Sequence, residues 1–364
     1  MLKDRKNKGI TLVALVITIV ILLVLAGISI SALTNTGIFQ KAKDAKSASE
    51  NAEKGQNKIL DEYETVLDQY NEDTLVYKVN NGIVKIGDYI SYKPDSANTE
   101  EILKELETYS GSDANTTDTL KQEELKWRVL DVKDGKVRLI SATPTRSKIT
   151  LKGYNGYNNL VKLLDNTCNS LYKNTNLAYN VQNLKIEDIK NCMNEKIMES
   201  LTVYEPTNVV YPQILEQEEQ QVVEKTNKNL KRLGVSNQNE FVIGNSTSST
   251  STLKTTYWSK KFDNKNDFKN IKYYELFIGE DDDNFYETYW MSSRCINVAP
   301  TDATFYVHLM YLGSVAAGPL CNSNGDEFFD ACSYRPIVTL NSNVRLDTTK
   351  TVDGSSAEHA YEIK

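Results

Sequence analysis

The chain has 364 residues, 40% of them hydrophobic, and a net charge of −7, which leaves room for about two domains, or for one large domain with an anchor. An acidic balance argues against a nucleic-acid partner, because phosphate binding needs a basic face. With only His308 and His359 a His-rich metal site is excluded, and Cys168, Cys192, Cys295, Cys321 and Cys332 fit no zinc spacing.

At the start of the chain, Lys3, Arg5, Lys6 and Lys8 stand against Asp4, and Ile10 to Leu33 then runs for 24 residues without a charge. As a helix at ~1.5 Å per residue that segment reaches ~36 Å, enough to cross a hydrocarbon core of ~30 Å. Sixteen of its residues are Ile, Leu or Val, each favouring insertion by ~0.3–0.6 kcal/mol. The basic leader keeps its end in the cytoplasm by the positive-inside rule, so the chain beyond Leu33 is expected outside. A Sec signal peptide has a shorter apolar core of ~7–15 residues. A plain signal anchor shares the hydropathy but has no need of Gly9.

The basic leader, Gly9, and an uncharged helix opening Ile10-Thr11-Leu12 resemble the N-terminal signal of type IV prepilins and pseudopilins, particularly of clostridial type. The resemblance implies a prepilin peptidase as partner, a cut between Gly9 and Ile10, and N-methylation of Ile10. It also implies a membrane location and other pilin subunits as neighbours. At the fifth mature position, where most pilins carry Glu, this chain has Ala14. Loss of the leader removes four basic residues and one acidic one, so the mature chain stands near −10.

Beyond Thr34-Asn35-Thr36-Gly37, a weak point for a helix, Ala45, Ala48, Ala52, Ile59, Tyr63, Val66 and Tyr70 recur at helical spacing. From Ile10 to Tyr70 one helix would run roughly 90 Å, and the first half of it would lie in the bilayer. The expected division is 1–9 leader, 10–70 helix and 71–364 globular module, with a helical block at 160–234. In the module Gly87 to Tyr92 reads as a strand, Glu100 to Tyr109 as a short helix, and Trp127 to Ser141 as a hairpin turning at Asp134-Gly135. Leu160 to Tyr172, Ile186 to Ile197 and Gln213 to Leu233 read as helices. Strand texture returns at Tyr257-Trp258, Tyr273 to Ile278, Tyr289 to Arg294, Ala303 to Met310, Ser314 to Leu320 and Tyr334 to Leu340, and Asn245 to Thr252 reads as a flexible Ser/Thr loop. The fold class is α+β.

The segments Trp127 to Val132, Tyr289 to Cys295 and Tyr334 to Leu340 resemble a module of unknown function in clostridial surface proteins, similar to the C-type-lectin and sulfatase-modifying-factor type of fold. In such a fold Arg294 and Arg335 sit deep in the module. They read either as buried arginines on loop carbonyls, the preferred reading, or as a pair clamping a ligand. Trp258 joins them as a binding candidate, and a glycan or another surface ligand is the partner in that case. Cys321 and Cys332 flank the turn Asn322-Ser323-Asn324-Gly325 and are the first candidates for a disulfide, which the outside location permits, while the anaerobic firmicute source that the resemblance implies would leave the cysteines reduced.

Glu280-Asp281-Asp282-Asp283 could hold Ca2+ outside the cell, but its spacing matches no EF-hand loop and a solvated acidic loop is preferred. No other cofactor is expected. No Ser/His/Asp set, Gly-rich phosphate loop or spaced carboxylate pair is present, so a surface enzyme on a sulfatase-modifying-factor-like scaffold is the weakest reading. A pilin-like surface protein displaying a module for adhesion or binding is the first. A membrane-anchored binding or sensing module outside any filament is the second.

Overall fold

The computed structural model describes residues 19, 21, 38–97, 112–113, 120–199, 207–210, 250–253, 257–279, 288–298, 303–322 and 326–364. Two compact units divide the chain, Met1–Glu64 and Thr65–Lys364. Helix α1, Ile38–Asp68, is the main described element of the first and ends within the second. Its 31 residues span ~46 Å. Exposed pairs at i and i+4, Lys46–Glu50 at 3.7 Å and Lys58–Glu62 at 3.8 Å, add a few tenths of a kcal/mol each. Most of the expected membrane segment, 10–33, lies outside the described residues, and among those described no helix is long and apolar enough to cross a membrane.

The second unit starts at Thr65, six residues before the boundary expected at 71, because the last turn of α1 is bonded into it. Lys136 Nζ donates to Thr65 Oγ1 at 2.9 Å, and Ser342 Oγ to Asp68 Oδ2 at 2.9 Å. Thr74 Oγ1 donates to the Asp68 carbonyl at 2.6 Å, closing α1 just before the short helix α2, Leu75–Asn80.

Two larger sheets make the body of this unit, which is mixed α and β. The first holds β1 (Tyr89–Ser91), β3 (Trp127–Lys133), β4 (Lys136–Ser141), β6 (Ala178–Asn183), β14 (Pro336–Leu340) and β15 (Tyr361–Glu362), in the order β15-β1-β3-β4-β14-β6. The second holds β2 (Ser112–Asp113), β5 (Ile149–Lys152), β9 (Lys260–Lys261), β10 (Tyr289–Val298), β11 (Ala303–Tyr311), β12 (Ser314–Asn322) and β13 (Phe329–Tyr334), in the order β2-β5-β13-β10-β11-β12-β9. A separate pair joins β7 (Thr207–Val210) to β8 (Thr250–Leu253). The chain passes from β13 of the second sheet straight into β14 of the first, and Arg335 is the single residue between them.

The central strands are covered on both faces and so are buried at neighbouring positions, β4 at all six and β14 at four of five. Val129, Leu139, Trp290, Leu309 and Val338 face one core, while Leu130, Ile140, Met291, Met310 and Ile337 face the other. In the first core lies α3, Gly153–Tyr172, which touches strands of both sheets. Its Tyr157, Leu160, Leu163, Leu164, Cys168, Leu171 and Tyr172 are all buried, at ~1.5–3 kcal/mol of gross burial for each large side chain. The second core is covered by α4 (Ile186–Cys192), the short α5 (Glu195–Glu199) and α6 (Ile271–Phe277), and by the aromatic rings of Phe262 and Phe268, 4.8 Å apart.

The hairpin at Asp134-Gly135 has φ of 50° and 70°, the type I′ geometry that Asp-Gly favours. Five expectations are corrected. Tyr257-Trp258 lies outside any strand, and Ile186 to Ile197 is broken into two helices at Met193 and Asn194. Of the strand expected at Tyr273 to Ile278, Tyr273 to Phe277 lie in helix α6 and Ile278 is its C-cap, because the Asn270 side chain caps Lys272 N at 2.9 Å and Tyr273, Tyr274, Leu276 and Phe277 bury one side of a helix. Strand β6 interrupts the helical block at 160–234, held by antiparallel pairing to β14. Residues 250–252 of the expected Ser/Thr loop pair with Val210, Val209 and Asn208. The helices expected at 100–109 and 213–233 lie outside the described residues.

Candidate functional site

Arg335 is 2% exposed, and its guanidinium is fixed by carbonyls. Nε and Nη2 donate to Ser141 O at 3.2 and 3.0 Å, Nη2 to Ala142 O at 2.9 Å, and Nη1 to Tyr289 Oη at 3.4 Å. Its own N–H goes to Asn183 Oδ1 at 2.7 Å. The group thus ties together β4, β6 and β10 at the point where the chain changes sheet. Arg294, on β10 beside an irregularity in its pairing to β11, donates from Nε to Tyr157 O at 2.6 Å and lies 5.7 Å from that ring's centre. Trp258 is buried in the second core between Lys190, whose Nζ is 5.3 Å from the ring centre, and His308. Each of the three has its own surroundings, and the described contacts do not bring them into one site.

The structure holds Cys321 and Cys332 as free, buried thiols, not as the candidate disulfide, and the other three cysteines are free and buried as well. In the hydrogen-bonded order β10 and β11 lie between the strands that carry the two. Burial pushes the Cys332 thiol up to about 12, so a reactive thiolate is disfavoured there. Burial lowers the His308 imidazole to about 4, which keeps it neutral at ordinary pH. Among the described residues no group of three or more His, Cys, Asp or Glu side chains could hold a metal ion. The acidic run Glu280 to Asp283 lies outside them, as do Gly9 and Ile10.

One ionic group escaped the sequence reading. Arg138 on β4 is bonded to Asp131 on β3 and to Asp188 on α4, with Arg138 and Asp188 both buried. Burial by itself would lower the guanidinium, and the two carboxylates more than offset this and raise it. The group locks α4 onto the hairpin. Nothing in the spacing of 131, 138 and 188 announces it.

At the surface the unit carries an open cleft of 630 Å3, within the size of small-molecule sites. It opens where β1 and β3 separate. Their register runs through Tyr89↔Arg128 and Ile90↔Trp127. There each chain turns on itself, Tyr92 N donating to Ile90 O at 2.9 Å and Leu125 N to Glu123 O at 3.0 Å. Tyr89, Tyr92 and Trp127 line it with Lys93, Gln122 and Lys126, and the C-terminal segment supplies Ala357 and Ala360. Tyr92 is fixed by its hydroxyl on Tyr172 O at 2.8 Å and meets Trp127 edge-on at 5.2 Å.

Residues 4–30 match the prokaryotic N-terminal methylation motif. That match contains Gly9, Ile10 and most of the apolar segment, and it supports a type IV prepilin-like protein, membrane association and processing by a prepilin peptidase. No curated protein and no solved structure matches the chain. The likeness of the globular unit to the C-type-lectin and sulfatase-modifying-factor fold therefore has no support from known structures.

Proposed function

We propose that this is a type IV pilin-like surface protein, cut between Gly9 and Ile10, that displays its globular unit outside the membrane for adhesion or binding. The observation that carries the reading is the methylation motif at residues 4–30. Two physical features support it: 24 uncharged residues long enough to span a bilayer, and a basic leader that orients them. Ala14, where most pilins carry Glu, favours a second reading in which the same processed chain stays a membrane-anchored module outside any filament.

Co-expression with a prepilin peptidase, followed by mass spectrometry of the N-terminus, tests the proposal. The expected product begins at a methylated Ile10, and Gly9→Leu keeps the leader because the peptidase must approach a small residue at that bond. A wild-type chain that retains Met1 to Gly9 under those conditions refutes the processing and leaves a plain signal anchor. Incorporation of the mature chain into filaments by co-expressed pilin machinery separates the two readings.

A further inference from the structure

We propose that the exposed apolar face of α1 between Ile59 and Leu67, continued by Tyr70, is an interface for a second copy of this chain, the two helices lying parallel and in register. The inference rests on the reading of the chain as anchored in the membrane near its N-terminus, and it names a partner for the helix that follows the anchor. Ile59, Leu60, Tyr63, Val66, Leu67 and Tyr70 are 51–80% exposed. Steps of three, four and seven residues return to one side of a helix, so Ile59 to Leu67 form a single stripe. Tyr70 extends it in the turn that closes α1, its N–H donating to Leu67 O at 3.0 Å.

An amphipathic helix without another partner packs its apolar stripe on its own core and turns its polar side to water. In the last turn of α1 this order is inverted. The polar side is the fastened one: Thr65 is buried and accepts from Lys136, and Asp68 accepts from Ser342 at its carboxylate and from Thr74 at its carbonyl. Val66, Leu67 and Tyr70, beside them in sequence, face water.

The spacing selects a like helix as the occupant. Ala52, Gln56, Ile59, Tyr63, Val66 and Tyr70 follow one another at four, three, four, three and four residues, the regular 3.5-residue average of a coiled-coil seam. Leu60 and Leu67, seven residues apart, widen that seam on one side. Gln56 falls at a seam position, and a lone polar residue there fixes register by meeting its own copy. Orientation follows from the anchor that the methylation motif at residues 4–30 supports: every copy starts in the same membrane, so two helices rise in one direction at a high effective concentration. Two copies that bury most of the exposed area of these six side chains hide on the order of 1,200 Å2, the lower end of the range for a stable interface. A two-fold pair brings each residue to its own copy, whereas subunits along a helical filament meet through different surfaces, so this contact is separate from filament assembly.

The test places single cysteines in the full chain in membrane vesicles and oxidises them with copper phenanthroline. The five native thiols are buried, and the wild type supplies the background. We expect Tyr63→Cys and Val66→Cys to give disulfide-linked dimer about fivefold or more above Lys54→Cys and Lys58→Cys, exposed positions on the other side of the helix. In density-matched micelles, sedimentation of the wild type should give twice the chain mass. The double change Tyr63→Glu and Val66→Glu should weaken pairing about tenfold or more, because it buries carboxylates against their own copies, and should leave the melt unchanged, because both side chains are exposed. Equal cross-linking on both sides of the helix overturns the proposal. So does a monomeric wild type, or a pair that survives the double change and is therefore held by the anchor alone. A Tyr63→Cys chain that gives no dimer and resists maleimide overturns it as well, since another segment then covers the face. Flotation of the vesicles reads the anchor independently: a chain that floats with them and fails to cross-link refutes the pairing alone, and one that does not float refutes the membrane reading.

Discussion

Replacing Arg335 with Ala tests whether the passage between the two sheets is held by that guanidinium. The change removes every hydrogen bond to Ser141 O and Ala142 O that Arg335 supplies, and it empties the space of a large side chain that is 2% exposed. A buried acceptor left without a donor costs ~1–3 kcal/mol. With Ser141 O the more enclosed of the two and water able to reach part of the vacated space, we expect a loss of about 3 kcal/mol. In a unit of this size that lowers the melting temperature by about 6 °C. Thermal melts of the full chain in micelles, followed by circular dichroism, supply the measurement. Arg335→Lys should recover only part of the loss, because one ammonium cannot reproduce the fork on two carbonyls. A melt of Arg335→Ala within a degree of wild type refutes the reasoning and makes Arg335 a candidate for ligand contact.

Other outcomes rest on the same structure. Buried neutral His308, lowered to about 4, stays unprotonated in the folded chain while the unfolded chain takes up a proton near pH 6.5. Stability is therefore full above about pH 6.5 and declines by up to about 3 kcal/mol towards pH 4, and His308→Leu should flatten that part of the profile in urea titrations. Leu312, exposed and at φ 47° beside Gly313, occupies the turn position that Asp134 fills in the other hairpin, so Leu312→Asn should raise stability by about 0.5–1 kcal/mol in the same titrations. The five buried thiols should resist Ellman's reagent in the folded chain and all react after denaturation; fewer than five would reveal a disulfide. A fragment beginning at Asp73 should melt several degrees below one beginning at Glu62, since it lacks Thr65 and Asp68 as acceptors for Lys136 and Ser342.

Periodicity and turn chemistry made much of this protein readable along the chain. The uncharged run after Gly9 raises the expectation of a membrane segment from its own side chains, and the methylation motif at residues 4–30 covers most of it. The hairpin at Asp134-Gly135 was legible for a similar reason: two residues at positive φ set the turn, and the alternating runs beside it set the strands. In α3 the spacing of Leu160, Leu163, Leu164 and Leu171 already marked the buried side.

What the sequence left open depends on contacts between distant residues. The run Tyr273 to Ile278 has the aromatic texture of a strand, and a local cap from Asn270 with a core waiting on one side made it a helix. Polar strand β6 has no pattern of its own and exists by pairing with β14, more than 150 residues away. Arg335 could be placed in a core-like run, but its partners at Ser141, Ala142 and Tyr289 come from two other strands and the loop after β4. The cleft brings together segments near 90, 125 and 358. Segment type is set by neighbours a few residues apart and can be read along the chain, whereas a surface site is assembled by the fold from pieces whose spacing carries no mark of their meeting.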